Sequence, residues 1–501
     1  MSVLESFSEV SSKIYVNGKY SKSTSTNSIE VIDPATENRL GEIPETTESE
    51  MKEVISAANK AQKTWNIRSP LDRSHVLHEV ANKMSEMAPL FAEALTREMG
   101  KPYKETMDEV HWSVHNIRFY AEMGRGETGK VIGSAVEGQF HYTLKQPLGT
   151  CVLILPFNYP MVLLAWEASA ALAAGNAVII KPSQYTSLTT LLFAKAFAAL
   201  PDGLFQVVTG EAPAGKFLVE HSDTHMIAFT GSVPVGVGIA TKCGELMKRS
   251  LIENSGNDPF IVMPSAPMDI TARAAAFSAY MNCGQICVSA ERFFVHEKIH
   301  DEFVEKLVEE TKKVRVGNGL DKVDMGPIVS EKERDRYEKV LHKALNEGAE
   351  AVTGGERLSQ FNKGWFVAPT VLTGCNDEMS IFNNESFGPV APICKVSSFE
   401  EAMEKSNNSK YGLGANIYTS DLSEGIRAAE QFQAGMVWVN APLLDNDAGP
   451  FGGTKLSGMG RQLGAEGLET FRDTKTVMID PDCQPQDFWW FPYSDAEMFK
   501  K

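Results

Sequence analysis

The chain is poor in several features that mark whole classes of protein. Its seven cysteines are scattered over 501 residues with no C-x-x-C pair. That is too sparse for a disulfide scaffold and lacks the spacing of a zinc or dithiol site, so free thiols in a reduced compartment and no bound metal are expected. No dense Lys/Arg run exists, and the formal net charge is -17. A chain without a basic face does not neutralise a phosphate backbone, so nucleic acid is not an expected partner. The acidic balance suits solubility and work on small molecules. Long apolar runs are missing too: the longest, from Cys151 to about Ile180, is broken by Pro156, Asn158, Pro160, Glu167 and Asn176. No membrane span is expected from it. The opening residues, MSVLESFSEVSSK, have neither a basic start nor an apolar core. This argues against a signal peptide and for a cytoplasmic protein.

What is present reads as an α/β protein. The length implies two or three domains rather than one core. The spacing of apolar residues predicts amphipathic helices over 46–64 and 74–98. A β-α-β pattern follows: CVLILP (151–156) as a strand, 161–174 as a helix ended by Gly175-Asn176, and AVIIKP (177–182) as a strand. Continuous apolar runs without alternation suit parallel strands buried on both faces. The pattern recurs as FQVVTG (205–210), HMIAFTGS (225–232), a helix near 235–248 and SLIEN (250–254). The fold expected of this half is an open, mostly parallel sheet. A composition break near Ser255–Asp258 is the candidate domain boundary. Beyond it DPFIVM (258–263), RFFVHE (292–297), ANIYTSD (415–421) and GMVWVN (435–440) read as strands, and 269–281, 300–314 and 422–433 as helices. The aromatic tail, PDCQPQDFWWFPYSDAEMFKK, is expected to pack on a partner subunit or on its own.

Four places could carry chemistry. The only G-x-G-x-x-G, at Gly124, Gly126 and Gly129, follows a helical stretch and precedes a strand-like one. A dinucleotide fingerprint needs the reverse order, so this match reads as a turn. FTGSVPVG (229–236) does join a strand to a helix, and Gly231 and Ser232 could face a pyrophosphate there. NCGQIC ends on Cys287, either a buried thiol or a nucleophile. Glu253 ends an apolar strand, where it could cap the sheet or serve as a general base. Asn158, between two prolines, could hold a turn or donate to an oxyanion.

Together and in order, these segments resemble the aldehyde dehydrogenase superfamily over nearly the full length. The matching strings are PLGTCVLILPFNYP (147–160), AALAAGNAVIIKPS (170–183), PDGLFQVVTG (201–210), FTGSVPVG (229–236), NCGQIC (282–287), ESFGPV (385–390), YGLGANIYTSD (411–421) and PFGGTKLSGMGR (450–461). The resemblance implies an NAD(P)-dependent, non-acylating enzyme that oxidises an aldehyde to a carboxylic acid. Cys287 would be the nucleophile, Asn158 and the Cys287 backbone N–H the oxyanion donors, and Glu253 the base that activates water on the thioester. Cys283, one helical turn earlier, would be a packing residue or a redox partner. The cofactor would meet Phe157, Lys181, Ser183, Gln184, Gly231, Ser232, Glu385 and Phe387. Tyr159, Leu163, Trp166, Ile286, Val288 and Asp445 would line the substrate tunnel. The resemblance also implies a Rossmann-like dinucleotide-binding domain (1–125 and 147–255), a second α/β catalytic domain (256–471), and a small β oligomerisation arm with the tail (126–146 and 472–501). A homodimer or homotetramer is expected.

The chain departs from the family pattern in three ways. Gln184 stands where NAD-preferring members often have Glu, which leaves NAD or NADP open with a lean to NAD. Ser255 replaces the first glycine after Glu253-Asn254, a cost if that backbone must take a positive φ. Glu167 and Gln462 occupy places usually held by Lys and Glu, so Glu167 could raise the Glu253 pKa. Asp445 and Asp447 in the loop before PFGG are either solvated carboxylates or a feature favouring a cationic aldehyde. A CoA-acylating enzyme, a non-enzymatic family member and a thiol hydrolase without dinucleotide are the competing classes. The presence of Glu253 together with Cys287 and Asn158 argues against the first two, and cofactor titration would decide the third.

Overall fold

The computed structural model describes residues 2–126, 128–486 and 490–491. The expected packing of the aromatic tail falls largely on residues outside that set. Within it, the apolar runs form a central sheet. Its five parallel strands lie in the order Arg249–Glu253, Met226–Thr230, Thr150–Ile154, Ala177–Lys181 and Phe205–Val207. The middle three are buried along their whole length, as unbroken apolar sequence requires when helices cover both faces. Antiparallel strands close both edges: Gly458–Met459 on one side, Lys13–Val16 and Lys19–Lys22 on the other. The chain leaves Thr150–Ile154 in one direction and returns to its other side at Met226–Thr230. That reversal opens a crevice at the carboxyl ends of the strands.

The helix Pro160–Ala174 fills the layer over this crevice. It starts on a proline, ends on the left-handed Gly175 (φ 99°), and is buried at every residue. A helix whose only ionisable or hydroxyl side chains are the buried Glu167 and Ser169 has no solvent face to present. The helix expected over 74–98 is in fact two, Pro70–Glu86 and Ala88–Met99, broken at Met87. Pro89 explains the break: it lacks an N–H, and its ring clashes with the carbonyl four residues back. The apolar periodicity carries across the break, which is why it suggests a single element.

The second sheet has seven strands in the order Glu350–Thr353, Thr370–Cys375, Val390–Val396, Ala290–His296, Asp258–Val262, Gly414–Tyr418 and Met436–Val439. All neighbours are parallel except the first pair. It has its own core, built around Phe260, Phe293, Phe294 and Tyr418. The chain then returns: Trp438, Phe451, Leu463, Leu468 and Phe471 pack on the first core. Apart from both sheets, Phe140–Pro147 pairs antiparallel with Arg472–Ile479 along eight residues, and Val131–Ile132 adds a third strand. Gly124 and Gly126 lie in the turn between the helix Tyr103–Met123 and that small sheet.

Candidate active site

Three loops at the carboxyl ends of the first sheet meet one kinked turn from the second. Thr150–Ile154 leads into Phe157 and Asn158, Met226–Thr230 into Gly231 and Ser232, and Arg249–Glu253 ends on Glu253 itself. The facing turn precedes Ala290–His296 and carries Cys287. Asn282, Cys283 and Gly284 there take φ of 51°, 57° and 69°. Asparagine tolerates this left-handed region, whereas a non-glycine residue such as Cys283 is strained in it, by roughly 1–2 kcal/mol. At Gly284 a Cβ would also lie 2.2 Å from the Gly388 carbonyl oxygen. The stretch from Cys283 to Cys287 is therefore not a helical turn, contrary to expectation. Cys283 is buried in the second core, and burial pushes its thiol pKa up, which fits packing.

Two cavities share Cys287 and Asn158 in their walls. The first, an open pocket of about 520 Å³ including its solvent-filled mouth, is lined by Tyr159, Leu163, Trp166, Ile286, Val288 and Asp445, the six residues expected there. Trp112, Val162, Met281, Leu443 and Phe451 complete it. Trp112 and Phe451 both pack on Trp166, with ring centroids 5.5 and 5.1 Å away. Phe451 lies within the quoted PFGG string, but no motif points to Trp112, which comes from a helix far back in the chain. No Lys or Arg lines this cavity.

The second cavity, about 790 Å³, brings together Phe157, Gly231, Ser232, Glu253, Ser255, Glu385 and Phe387, with Glu333 and Arg336 as additions that no motif suggested. The Phe157 ring stands edge-on to Phe387 at 5.8 Å. A third cavity of about 1090 Å³ flanks the start of the helix Val233–Glu245 and includes Lys181, Glu211, Phe229 and Val235. Ser183 and Gln184 are not in its wall. They form the turn after Ala177–Lys181, where the Ser183 hydroxyl accepts from the Tyr185 N–H at 3.3 Å.

Acidic groups crowd the nucleophile. Burial pushes the Cys287 thiol well up, and Glu253, Asp258, Glu385 and Asp445 add to the effect. Glu253 is 2% exposed, and neither carboxyl oxygen has a hydrogen-bond partner. Burial, then Glu385 and Glu167, hold its pKa well above the carboxylate range. Glu167 is itself pushed to about 8 by burial. One of its oxygens accepts from the Gln462 side chain at 2.6 Å and the other has no partner. Ser255 carries no backbone strain, since it is not left-handed. The requirement for glycine falls on Gly256, where a Cβ would lie 2.2 Å from the Cys287 carbonyl oxygen. The Ser255 hydroxyl instead helps hold down the pKa of Glu385, which burial and Glu291 raise to about 8.

These walls fit a dinucleotide. Ser232 is the N-cap of a 13-residue helix, yet its side chain makes no capping bond, so its hydroxyl and the N–H groups of Val233 and Val235, on either side of Pro234, can meet a pyrophosphate. An apolar slot and a buried lysine lie on one side, and two aromatic rings beside the thiol on the other.

Comparison with known proteins agrees. The profile of the aldehyde dehydrogenase family matches residues 20–477. The chain belongs to the aldehyde dehydrogenase family. Betaine aldehyde dehydrogenase of Brucella anthropi is 35% identical to it over 472 residues, 93% of this chain and 96% of that protein. Among solved structures, betaine aldehyde dehydrogenase of Staphylococcus aureus in complex with NAD+ superposes with a TM-score of 0.94 at 28% identity, over 97% of this chain and 98% of that one. An aldehyde dehydrogenase of Bacillus cereus does so at 0.92 and 34% identity, over 95% and 98%. This dehydrogenase is thus an NAD(P)-dependent oxidoreductase that acts on aldehydes.

Proposed function

We propose that Cys287, Glu253 and Asn158 carry the oxidation of a cationic aldehyde to its acid. The observation behind this reading is the shared wall: the thiol and the Asn158 amide border both the substrate-sized cavity and the cofactor-sized one, with an unpartnered carboxyl beside them. The Cys287 thiol gives its proton to solvent, and the thiolate adds to the aldehyde carbon. The Asn158 side-chain amide and the Cys287 backbone N–H donate to the oxygen as it gains charge. The bound nicotinamide supplies the hydride acceptor for the tetrahedral adduct, which leaves a thioester on Cys287. Glu253 then takes a proton from water as it attacks the thioester, releasing the acid and the free thiol.

Phe157, Gly231, Ser232, Glu385 and Phe387 would hold the nicotinamide half and Lys181 the adenine side. Ser183 and Gln184 stand on the neighbouring turn. NAD or NADP serves, with NAD preferred: burial lowers the Lys181 pKa to about 8, Glu211 lies close enough to oppose that shift, and a carboxylate there opposes a 2′-phosphate. The substrate reading rests on Asp445. It projects into a cavity of two tryptophans, a tyrosine and a phenylalanine without a basic side chain, a setting that suits a cation flanked by π-faces. The relatives named for betaine aldehyde support the same class. We also assign residues 1–125 and 147–255 to cofactor binding and 256–471 to catalysis. Residues 126–146 and 472–501 make a homodimer or homotetramer, for which Val131, Phe140 and Met478 offer exposed apolar surface. Among the described residues no helix is long and apolar enough to cross a membrane, and the cytoplasm is the proposed location.

The test is an aldehyde panel run with NAD and with NADP, for the native protein and for Cys287→Ala. Turnover should vanish in the variant while dinucleotide binding, followed by fluorescence, survives. Loss of binding along with activity, or turnover in the variant, would overturn the assignment. Product analysis with and without CoA excludes acyl transfer if the free acid forms in both.

A further inference from the structure

Beneath the two catalytic turns lies a buried charged cluster that no motif marks. Lys101 precedes the helix Tyr103–Met123, and Glu105 and Glu109, four residues apart, share one face of it. Lys101 and Glu109 are fully buried and paired. The Lys101 ammonium also donates to the Asn158 backbone carbonyl at 2.8 Å and lies 3.9 Å from the centre of the Tyr159 ring. Glu109 accepts from the N–H groups of Met161 and Val162, at 2.9 and 3.2 Å. One ion pair thus grips the Asn158 turn on both sides of its bend.

The same cluster reaches the nucleophile turn. Glu105 accepts from the Asn282 backbone N–H at 3.1 Å. The Asn282 side-chain amide donates to the Asn158 carbonyl, at 3.3 Å, and to the Gln285 carbonyl, at 3.1 Å. The Asn158 carbonyl is therefore a shared acceptor, pinned by Lys101 from one side and by the Cys287-bearing turn from the other. Nothing else in this region needs a fully buried ammonium. Such a pair adds little net stability over an apolar replacement, so its retention points to placement rather than strength.

We propose that Lys101, together with Glu109 and Asn282, positions the Asn158 amide against the Cys287 thiol. Lys101 touches neither substrate nor cofactor in this arrangement; it acts through Asn158. The inference rests on the reading of Asn158 as oxyanion donor. Its physical basis is that a preorganised donor works only if it is held where the charge develops, and a misplacement of about 1 Å costs about a hundredfold.

The experiment is a double-mutant cycle between Asn158→Ala and the charge-neutral pair Lys101→Met/Glu109→Gln. The glutamine keeps an acceptor for Met161 and Val162. Asn158→Ala alone should lower kcat/KM about a hundredfold or more. The paired variant should lower kcat/KM about ten- to hundredfold and abolish the first-turnover burst of reduced cofactor. NAD binding and the rate of Cys287 alkylation by iodoacetamide should stay near native, which a general loosening would not allow. Adding Asn158→Ala to the paired variant should then cost little more. Native kcat/KM in the paired variant, or losses that add in full, would refute the positioning role. If Asn158→Ala itself leaves kcat/KM unchanged, the oxyanion reading falls and this inference with it. Should the paired variant not fold, Asn282→Gly removes a neutral donor to the same carbonyl and keeps the left-handed backbone, φ 51°. It should show a smaller loss with the same non-additivity, and full additivity there counts equally against the proposal.

Discussion

Replacing Asp445 by asparagine tests the substrate class with the least disturbance, since shape and hydrogen-bonding capacity are nearly kept. A cation seated in the aromatic cavity at about 6 Å from the carboxylate, in a medium of effective dielectric about 20, gains about 2.8 kcal/mol. At about 1.4 kcal/mol per decade that is about a hundredfold in kcat/KM. Burial and Asp447 raise the Asp445 pKa to about 7. The free enzyme is thus half ionised at neutral pH, and the observed loss there is about fiftyfold. The comparison needs betaine aldehyde and its carbon isostere, in which tert-butyl replaces trimethylammonio. The hydration equilibria of the two aldehydes differ, but they cancel when native and variant enzymes are compared. In the native enzyme the preference for the cation should rise about tenfold between pH 6 and pH 8, as Asp445 ionises through a pKa of about 7. In Asp445→Asn it should be flat and about fiftyfold smaller at pH 7. An unchanged preference in the variant, or one that varies with pH as in the native enzyme, would show that Asp445 is a solvated loop carboxylate.

Other consequences are open to simpler measurements. Glu253→Gln should slow deacylation about a hundred- to ten-thousandfold and let acyl-enzyme accumulate, visible by intact mass; an unchanged steady-state rate would make Glu253 structural. Glu167→Gln removes a group that raises the Glu253 pKa, so the rising limb of the pH–rate profile should move to lower pH, and a limb that stays in place refutes that coupling. Glu98, Glu105, Glu167 and Glu385 are each raised to about 8. The folded protein therefore keeps protons that the unfolded chain has lost, and Tm should fall as pH rises from about 4.5 to about 8; a rising Tm would contradict these shifts. Charge placed at Met478, which is 68% exposed on the small sheet, should shift sedimentation toward the monomer without unfolding the subunit.

The parts of the fold legible in sequence are those whose local signal and final burial agree. The parallel strands read clearly because both faces are covered, and unbroken apolar runs such as those at Cys151 and Ala177 have no other use. The helix before Met99 misleads because one proline breaks a backbone whose apolar stripe continues. Thr370–Cys375 and Val390–Val396 are harder still, since Gly374 and Pro392 stand inside them, residues that argue against a strand in sequence. The candidate site divides the same way. Cys287, Glu253 and Asn158 sit in strings whose order carries information. Glu109 and Trp112 belong to an ordinary-looking amphipathic helix and Lys101 to the segment just before it, and only tertiary packing brings them under the Asn158 turn. Glu105 and Glu109 at four-residue spacing mark one face of that helix, but acidic residues so placed usually mean a solvated face.

The acidic surroundings of Cys287 bear on how such a thiol can work at all. A nucleophilic cysteine is usually activated by a cation or a helix N-terminus that stabilises the thiolate. Here burial and four carboxyl groups oppose ionisation, so the resting thiol keeps its proton. That arrangement protects the sulfur from oxidation and alkylation while no substrate is present, because the thiolate is the reactive form. Ionisation must then be driven by something that arrives. Two positive charges can enter these cavities: the oxidised nicotinamide ring, for which Phe387 is the proposed neighbour, and, if Asp445 has the role proposed, the substrate itself. Alkylation of Cys287 should therefore quicken when oxidised cofactor binds, and less so with the reduced form, whose ring is neutral. Equal rates with the two forms would place the control of the thiol in protein groups alone and leave the carboxyl cluster without this role.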